Sequence, residues 1–265
     1  MTSSLLALSA HALALGNPAP AVDAACCQVV ELRQYITYPG KRDVLIKLFE
    51  REFIESQEAV GIEVLGLFRD HNDPHRYTWL RGFPSMPARQ QALTDFYGGP
   101  VWKRWRDEAN ATLYDNDDVL LLRPAQANSG FNVDASTRAP QTASLPQQGL
   151  VVATIYYFKQ EVSGDFIAHF NGALAPVFQR NGASMLGSFV SEKSPNTFAR
   201  LPVRENVNAF VWFAHFADRA AWQRYNENLG QDVQWRDALF APLYKSLLRT
   251  PETLLLEPAA RSLLR

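Results

Sequence analysis

The sequence predicts an α+β protein in which one β-α-β-β-α-β unit is used twice. Two observations carry that expectation: short segments return in the same order, and β-rich and helical stretches alternate identically in both halves. Val60-Gly61-Ile62-Glu63-Val64-Leu65-Gly66-Leu67-Phe68 is answered by Asn181-Gly182-Ala183-Ser184-Met185-Leu186-Gly187-Ser188-Phe189. Trp79-Leu80-Arg81-Gly82-Phe83 is answered by Trp212-Phe213-Ala214-His215-Phe216, and Trp105-Arg106-Asp107 by Trp235-Arg236-Asp237. Leu120-Leu121-Leu122-Arg123-Pro124-Ala125 returns as Leu254-Leu255-Leu256-Glu257-Pro258-Ala259. The shift is 121 residues from Gly66 to Gly187 and 130 to 134 residues for the later segments. One jump in an otherwise steady shift means an insertion in the second copy, around residues 195–208.

Residues 28–36 alternate in character and are β-rich, the pattern of a first strand. Tyr38-Pro39-Gly40 is a turn. Over 43–53, Val44, Leu45, Leu48, Phe49 and Phe53 recur at spacings of three and four, which predicts an amphipathic helix. Strands are expected at 61–69 and 77–83 around a turn at 71–75. Helices follow at 86–97 and 101–113, broken by Gly98-Gly99-Pro100, and a last strand at 119–122 ends at Pro124. Residues 127–148 are rich in Ala, Ser, Pro, Gln and Asn without periodicity, as linkers are. The second unit repeats the order: strand 150–158, helix 164–179, strands 183–191 and 209–217, helices 219–227 and 231–248, strand 253–256.

This order is ferredoxin-like. Such a sheet, covered by helices on one face, leaves its other face bare. Two bare faces packed together bury both, so the expected architecture is a barrel-type pseudo-dimer within one chain, with pairing across chains as the other way to achieve the same burial. The expected divisions are a leader (1–27), a first domain (28–126), a linker (127–148), a second domain (149–259) and a tail (260–265).

Composition narrows the function classes. A chain of 265 residues with 47% hydrophobic residues suits a globular protein. A formal net charge of −1 and no basic run give no field to attract nucleic acid. No apolar stretch reaches the ~18 residues needed to span a bilayer, so no membrane is expected. The first 25 residues are Ala-rich and apolar, but no Lys or Arg precedes Arg33, so the basic segment of a signal peptide is missing and the cytoplasm is the expected location. Cys26 and Cys27 are adjacent and the only cysteines. Neighbours in an extended chain point to opposite sides, so no disulfide is expected between them.

Val30-Glu31-Leu32-Arg33-Gln34-Tyr35, followed by Pro39-Gly40-Lys41, resembles the opening of the NIPSNAP family. Trp79-Leu80-Arg81-Gly82-Phe83, Phe96-Tyr97-Gly98-Gly99-Pro100-Val101-Trp102 and residues 116–122 resemble that family in order and spacing. The resemblance covers about residues 28–125, and more loosely 150–259. It implies a dimeric α/β-barrel fold and supplies no catalytic residues.

Alternation along the first strand places Glu31, Arg33 and Tyr35 on one face, and along the third strand Tyr77, Trp79, Arg81 and Phe83 on one face. If both faces meet the helix at 102–110, then Arg33, Tyr35, Trp79, Arg81, Trp102 and Arg106 line an aromatic, cationic pocket for a planar or carboxylated small molecule. The competing arrangement is an Arg–Glu ion pair between neighbouring strands inside an aromatic core. The second unit keeps Tyr156, Trp212, Trp235 and Arg236 but has no basic residue matching Arg33, and Ala214 replaces Arg81. On that asymmetry the first unit is expected to hold any ligand and the second to act as a structural partner.

Other motifs carry less. His71 and His75 are four apart but flank Asn72-Asp73-Pro74, a turn rather than a helix face, so no metal is expected. His169 and His215 fall in a helix and a strand of the second unit. No phosphate-cradling glycine loop and no Gly-x-Ser-x-Gly elbow is present. The sequence therefore leaves three functional readings. The first is a small-molecule or partner binder without a cofactor. The second is a cofactor-independent monooxygenase or isomerase, by analogy of fold. The third is a haem-handling protein using one of these histidines.

Overall fold

A computed structural model describes residues 26–144, 146 and 148–265. The leader expected at 1–25 lies outside them. The eight strands are β1 (Val29–Thr37), β2 (Glu63–Asp70), β3 (Arg76–Phe83), β4 (Leu113–Pro124), β5 (Leu150–Tyr157), β6 (Ser184–Ser191), β7 (Ala209–Phe216) and β8 (Glu252–Pro258). The principal helices are α1 (42–58), α2 (Met86–Gly98), α3 (Pro100–Asn110), α4 (164–180), α5 (Arg219–Gln231) and α6 (235–246).

All eight strands close into one barrel in the order β1-β3-β2-β8-β5-β7-β6-β4. Within the first half the spatial order is β4-β1-β3-β2, and within the second β8-β5-β7-β6, the same antiparallel arrangement. Two short seams join the halves: β2 pairs β8 from Phe68↔Pro258 to Asp70↔Leu256, and β4 pairs β6 from Leu122↔Ser191 to Pro124↔Phe189.

Side-chain alternation sorts the strands into an inner and an outer face. Val30, Leu32 and Leu80 from the first half meet Val151, Ile155 and Phe213 from the second in one shared barrel core. The outer faces carry separate cores beneath their own helices, one for each half. α2 starts at Ser85, whose hydroxyl accepts from the Ala88 amide, and α5 starts at Asp218, whose carboxylate accepts from the Ala221 amide. α1 and α4 each contain one wide π turn, at Phe49–Phe53 and Phe170–Leu174. β4 begins at Leu113, six residues before the apolar run at 119–122, because Leu113–Asp118 pairs with Gln34–Thr37 despite its polar sequence.

Three segments differ from simple readings of the sequence. Cys26 and Cys27 form a disulfide. Alternation applies to strand residues, whereas this pair sits in a bend ahead of β1. Cys27 is buried against Gly82, where any Cβ would lie 2.2 Å from its sulfur. The stretch 127–148 packs closely at several points: Phe131 enters the barrel core between Phe189 and Phe213, and Arg138 donates to the Val64 carbonyl and pairs with Glu58. After β8, residues 259–264 are buried. There the Leu67 amide donates to the Ser262 hydroxyl at 3.2 Å, and Arg261 pairs with Glu55. No helix among the described residues is long and apolar enough to cross a membrane.

Candidate ligand-binding site

The outer face of β1 presents Glu31, Arg33 and Tyr35, and the register sets them opposite Arg81, Trp79 and Tyr77 of β3. Glu31 is the hub. Its carboxylate accepts from Arg33 Nη1, Arg81 Nε and Arg89 Nε, each at 2.7 Å, and all four side chains are 0% exposed. Arg33 Nε donates to the Tyr35 hydroxyl at 2.7 Å, and Arg81 Nη1 to Gln57 Oε1 at 3.1 Å. Arg89 comes from α2, where it lies on the buried stripe with Ala92, Leu93 and Phe96. Trp79 lies between two cations, its ring 5.6 Å from the Arg33 guanidinium and 5.0 Å from that of Arg81.

The charge in this cluster does not balance. Three guanidiniums share one carboxylate, which leaves two positive charges in excess. The Nη2 atoms of Arg33, Arg81 and Arg89 have no hydrogen-bond partner among the described residues, and neither does the Trp79 indole nitrogen. Burial alone would raise the Glu31 carboxyl. The guanidiniums of Arg81, Arg33 and Arg89 outweigh it and hold the carboxyl well below the usual carboxylate range. Burial raises the Tyr35 phenol, which therefore stays protonated and adds no counter-charge.

Beside the cluster lies a cavity of about 200 Å³. Tyr35, Trp79, Gln57 and Tyr97 form the wall between it and the cations. Phe49 and Phe53, at the two ends of the π turn, both line it, with Phe96 of α2 and Trp102 of α3. The remaining side comes from the second half. The segment inserted there brings Phe198, Arg200 and Leu201 to the cavity, with the Phe198 ring stacked on Tyr97 at 5.7 Å. The same segment ties to the cluster, since Arg89 Nη1 donates to Asn196 Oδ1 at 3.1 Å and lies 3.3 Å from Thr197 Oγ1.

Of the six residues the sequence singled out, Tyr35, Trp79 and Trp102 line the cavity, and Arg33 and Arg81 stand behind its wall in the ion cluster. Arg106 does not join them; its side chain is 54% exposed and pairs with Asp107. The inter-strand Arg–Glu pairing is present, and next to it lies an aromatic cavity that Arg33, Arg81 and Arg106 do not line. Arg89, Gln57, Tyr97, Phe198 and Arg200 were missed. Arg89 left a readable trace, being an arginine three, four and seven residues before Ala92, Leu93 and Phe96 on an apolar helix stripe. Arg200 left none, because only the tertiary fold brings the second half's insertion to the first half's helices.

The histidines lie elsewhere. His71 Nδ1 is 2.6 Å from Glu257 Oε1, and His215 abuts Gly149. No group of three His, Cys, Asp or Glu side chains among the described residues could hold a metal ion.

An eight-stranded α/β barrel with an aromatic cavity beneath the helices of its first half defines the class of protein. Residues 30–127 match the sequence model of the NIPSNAP family. No curated protein matches the chain significantly. Among solved structures, a candidate monooxygenase from Lactobacillus acidophilus superposes with a TM-score of 0.51 at 13% identity, covering 87% of this chain and 93% of its own. An anthrone oxidase-like protein gives 0.51 at 13% identity over 87% and 91%. A NIPSNAP domain protein from Burkholderia xenovorans covers 37% of this chain and 94% of its own, at 17% identity and a TM-score of 0.34. At 13% identity the likeness to the first two is one of fold.

Proposed function

We propose that this protein binds a small aromatic molecule carrying an anionic group in the cavity of its first half. In this reading two tandem ferredoxin-like units, 28–126 and 149–259, act as a pseudo-dimer in which the second unit walls the first unit's site. One observation carries the proposal: two buried positive charges without a counter-ion among the described residues adjoin an aromatic cavity. Excess buried charge is costly in a low-dielectric interior, and an anion within a few ångströms relieves it. The aromatic walls favour a planar ring, and Arg200 at the rim supplies a cation that can meet a carboxylate directly. Binding fits the cavity better than proton-abstracting catalysis does, because its walls carry no carboxylate, imidazole or thiol among the described residues.

The test is calorimetric titration of the full chain with benzoate, phenylacetate and indole-3-acetate, each against its neutral amide. At least one acid is expected to bind about tenfold or more tightly than its amide, equivalent to about 1.4 kcal/mol. The preference should shrink in Arg200→Ala and weaken with added salt. A panel in which no acid outbinds its amide would sink the proposal.

A further inference from the structure

The second half holds a cavity of its own, about 130 Å³ in volume, beneath α5 and α6. Strand register gives the positions in it that correspond to the first site. Glu31↔Arg81 and Arg33↔Trp79 on β1 and β3 are matched by Val152↔Ala214 and Thr154↔Trp212 on β5 and β7. Aligning the N-caps Ser85 and Asp218 sets Arg89 opposite Trp222 and Ala92 opposite Tyr225. All four charged members of the first cluster are therefore replaced by Val152, Thr154, Ala214 and Trp222. Three of these, Val152, Thr154 and Trp222, line the second cavity, so it reaches into the space that the ion cluster fills in the first half.

The two cavities consequently differ in chemistry. Among the described residues no charged side chain lines the second one. Its aromatic walls include Phe178 and Trp212, stacked at 4.9 Å and 12°, and Trp235 edge-on to Phe178 at 5.4 Å. Its polar groups include indole N–H donors, an amide and hydroxyls, Thr154, Tyr225, Asn226 and Tyr244 among them. Tyr225 is only 6% exposed and lines the cavity, and the buried indole nitrogen of Trp212 in the same wall has no hydrogen-bond partner among the described residues. A buried donor without a partner costs free energy that a ligand's polar atom can recover.

We propose that the second-half cavity is a separate binding site for an uncharged, single-ring phenolic molecule. An ion entering it would lose its hydration and meet no counter-charge, so carboxylates and ammonium groups are excluded. The volume suits one ring, since an apolar cavity of about 150 Å³ takes up benzene. The ring lies against the indoles, and the ligand hydroxyl pairs with Tyr225. The second half is then more than a structural partner, and this site does not depend on the anion reading of the first.

Calorimetric titration of the full chain with phenol and, separately, benzoate tests the assignment. Phenol is expected to bind the unmodified protein and to bind about fivefold more weakly to Tyr225→Phe, the loss expected for one hydrogen bond. Thr154→Leu, which fills the cavity, should abolish phenol binding, while Arg200→Ala should leave it unchanged. Benzoate is the separate probe of the first cavity, and neither second-half substitution should alter its binding. Absence of phenol binding, or equal phenol affinity in the unmodified protein and Tyr225→Phe, overturns the site. A phenol affinity that falls in Arg200→Ala but not in Tyr225→Phe overturns it too, by placing the phenol in the first cavity. Should Thr154→Leu fail to fold, Tyr225→Phe decides, because it removes a single oxygen atom. Failure of benzoate to bind would count against the first-half reading only.

Discussion

Glu31 is the residue on which most of the first half's polar interior depends. It is the only carboxylate bonded to Arg33, Arg81 and Arg89 among the described residues, and all four side chains are fully buried. Breaking a buried ion pair by removing one partner typically costs about 3–5 kcal/mol, since the remaining charge is stranded. Glu31→Gln strands three, so chemical denaturation should show a loss at or above the upper end of that range. The same residue sets an acid limit. The folded protein holds the Glu31 carboxyl well below its usual value of 4.5, because Arg81, Arg33 and Arg89 overcome the effect of burial. Below about pH 4.5 the unfolded chain therefore binds a proton that the folded chain does not. The stability Glu31 contributes is complete above that pH and is lost as the pH falls toward the folded value. His215, lowered from 6.5 by burial, adds a loss of the same sign as pH falls through that value. Melting temperature measured between pH 7 and pH 3 should fall steadily, and the portion below pH 4.5 should flatten in Glu31→Gln.

Among the structural elements, the insertion at 195–208 carries the strongest prediction. It both lines the first-half cavity, through Phe198, Arg200 and Leu201, and bonds to the ion cluster, through Asn196 and Thr197. Phe198→Ala removes a ring from the cavity wall and the stack on Tyr97. An aromatic pair contributes roughly 0.5–1.5 kcal/mol beyond its buried area, so aromatic acids should bind up to about tenfold more weakly to the variant. The phenol affinity of the second cavity should be unaffected. Most elements could be read from the chain because each has a local signature: period-two strands, period-three-to-four helices, and caps at Ser85 and Asp218. β4 is the exception. Its first six residues, 113–118, are polar and carry no strand pattern, and they become strand only through pairing with β1.

At the scale of the whole molecule, the closed barrel joins the halves through one core. Val30, Leu32 and Leu80 have Val151, Ile155 and Phe213 as their packing partners. A chain limited to residues 26–126 would expose that face, and exposed apolar surface of this extent drives association. Such a fragment is expected to be a homodimer or insoluble, whereas the full chain should unfold in a single transition; light scattering and calorimetry distinguish these outcomes. The sequence alone determined the repeated β-α-β-β-α-β order, the resemblance of about residues 28–125 to the NIPSNAP family and the aromatic positions Tyr35, Trp79 and Trp102, since each rests on periodicity or on residues close in the chain. Only the tertiary structure decided that Glu31 is shared by three arginines, that Arg106 faces solvent and that the second half's insertion walls the first half's cavity. Those outcomes depend on which side chains meet across strands and helices far apart in sequence, and on charges that count only once burial has removed the water between them.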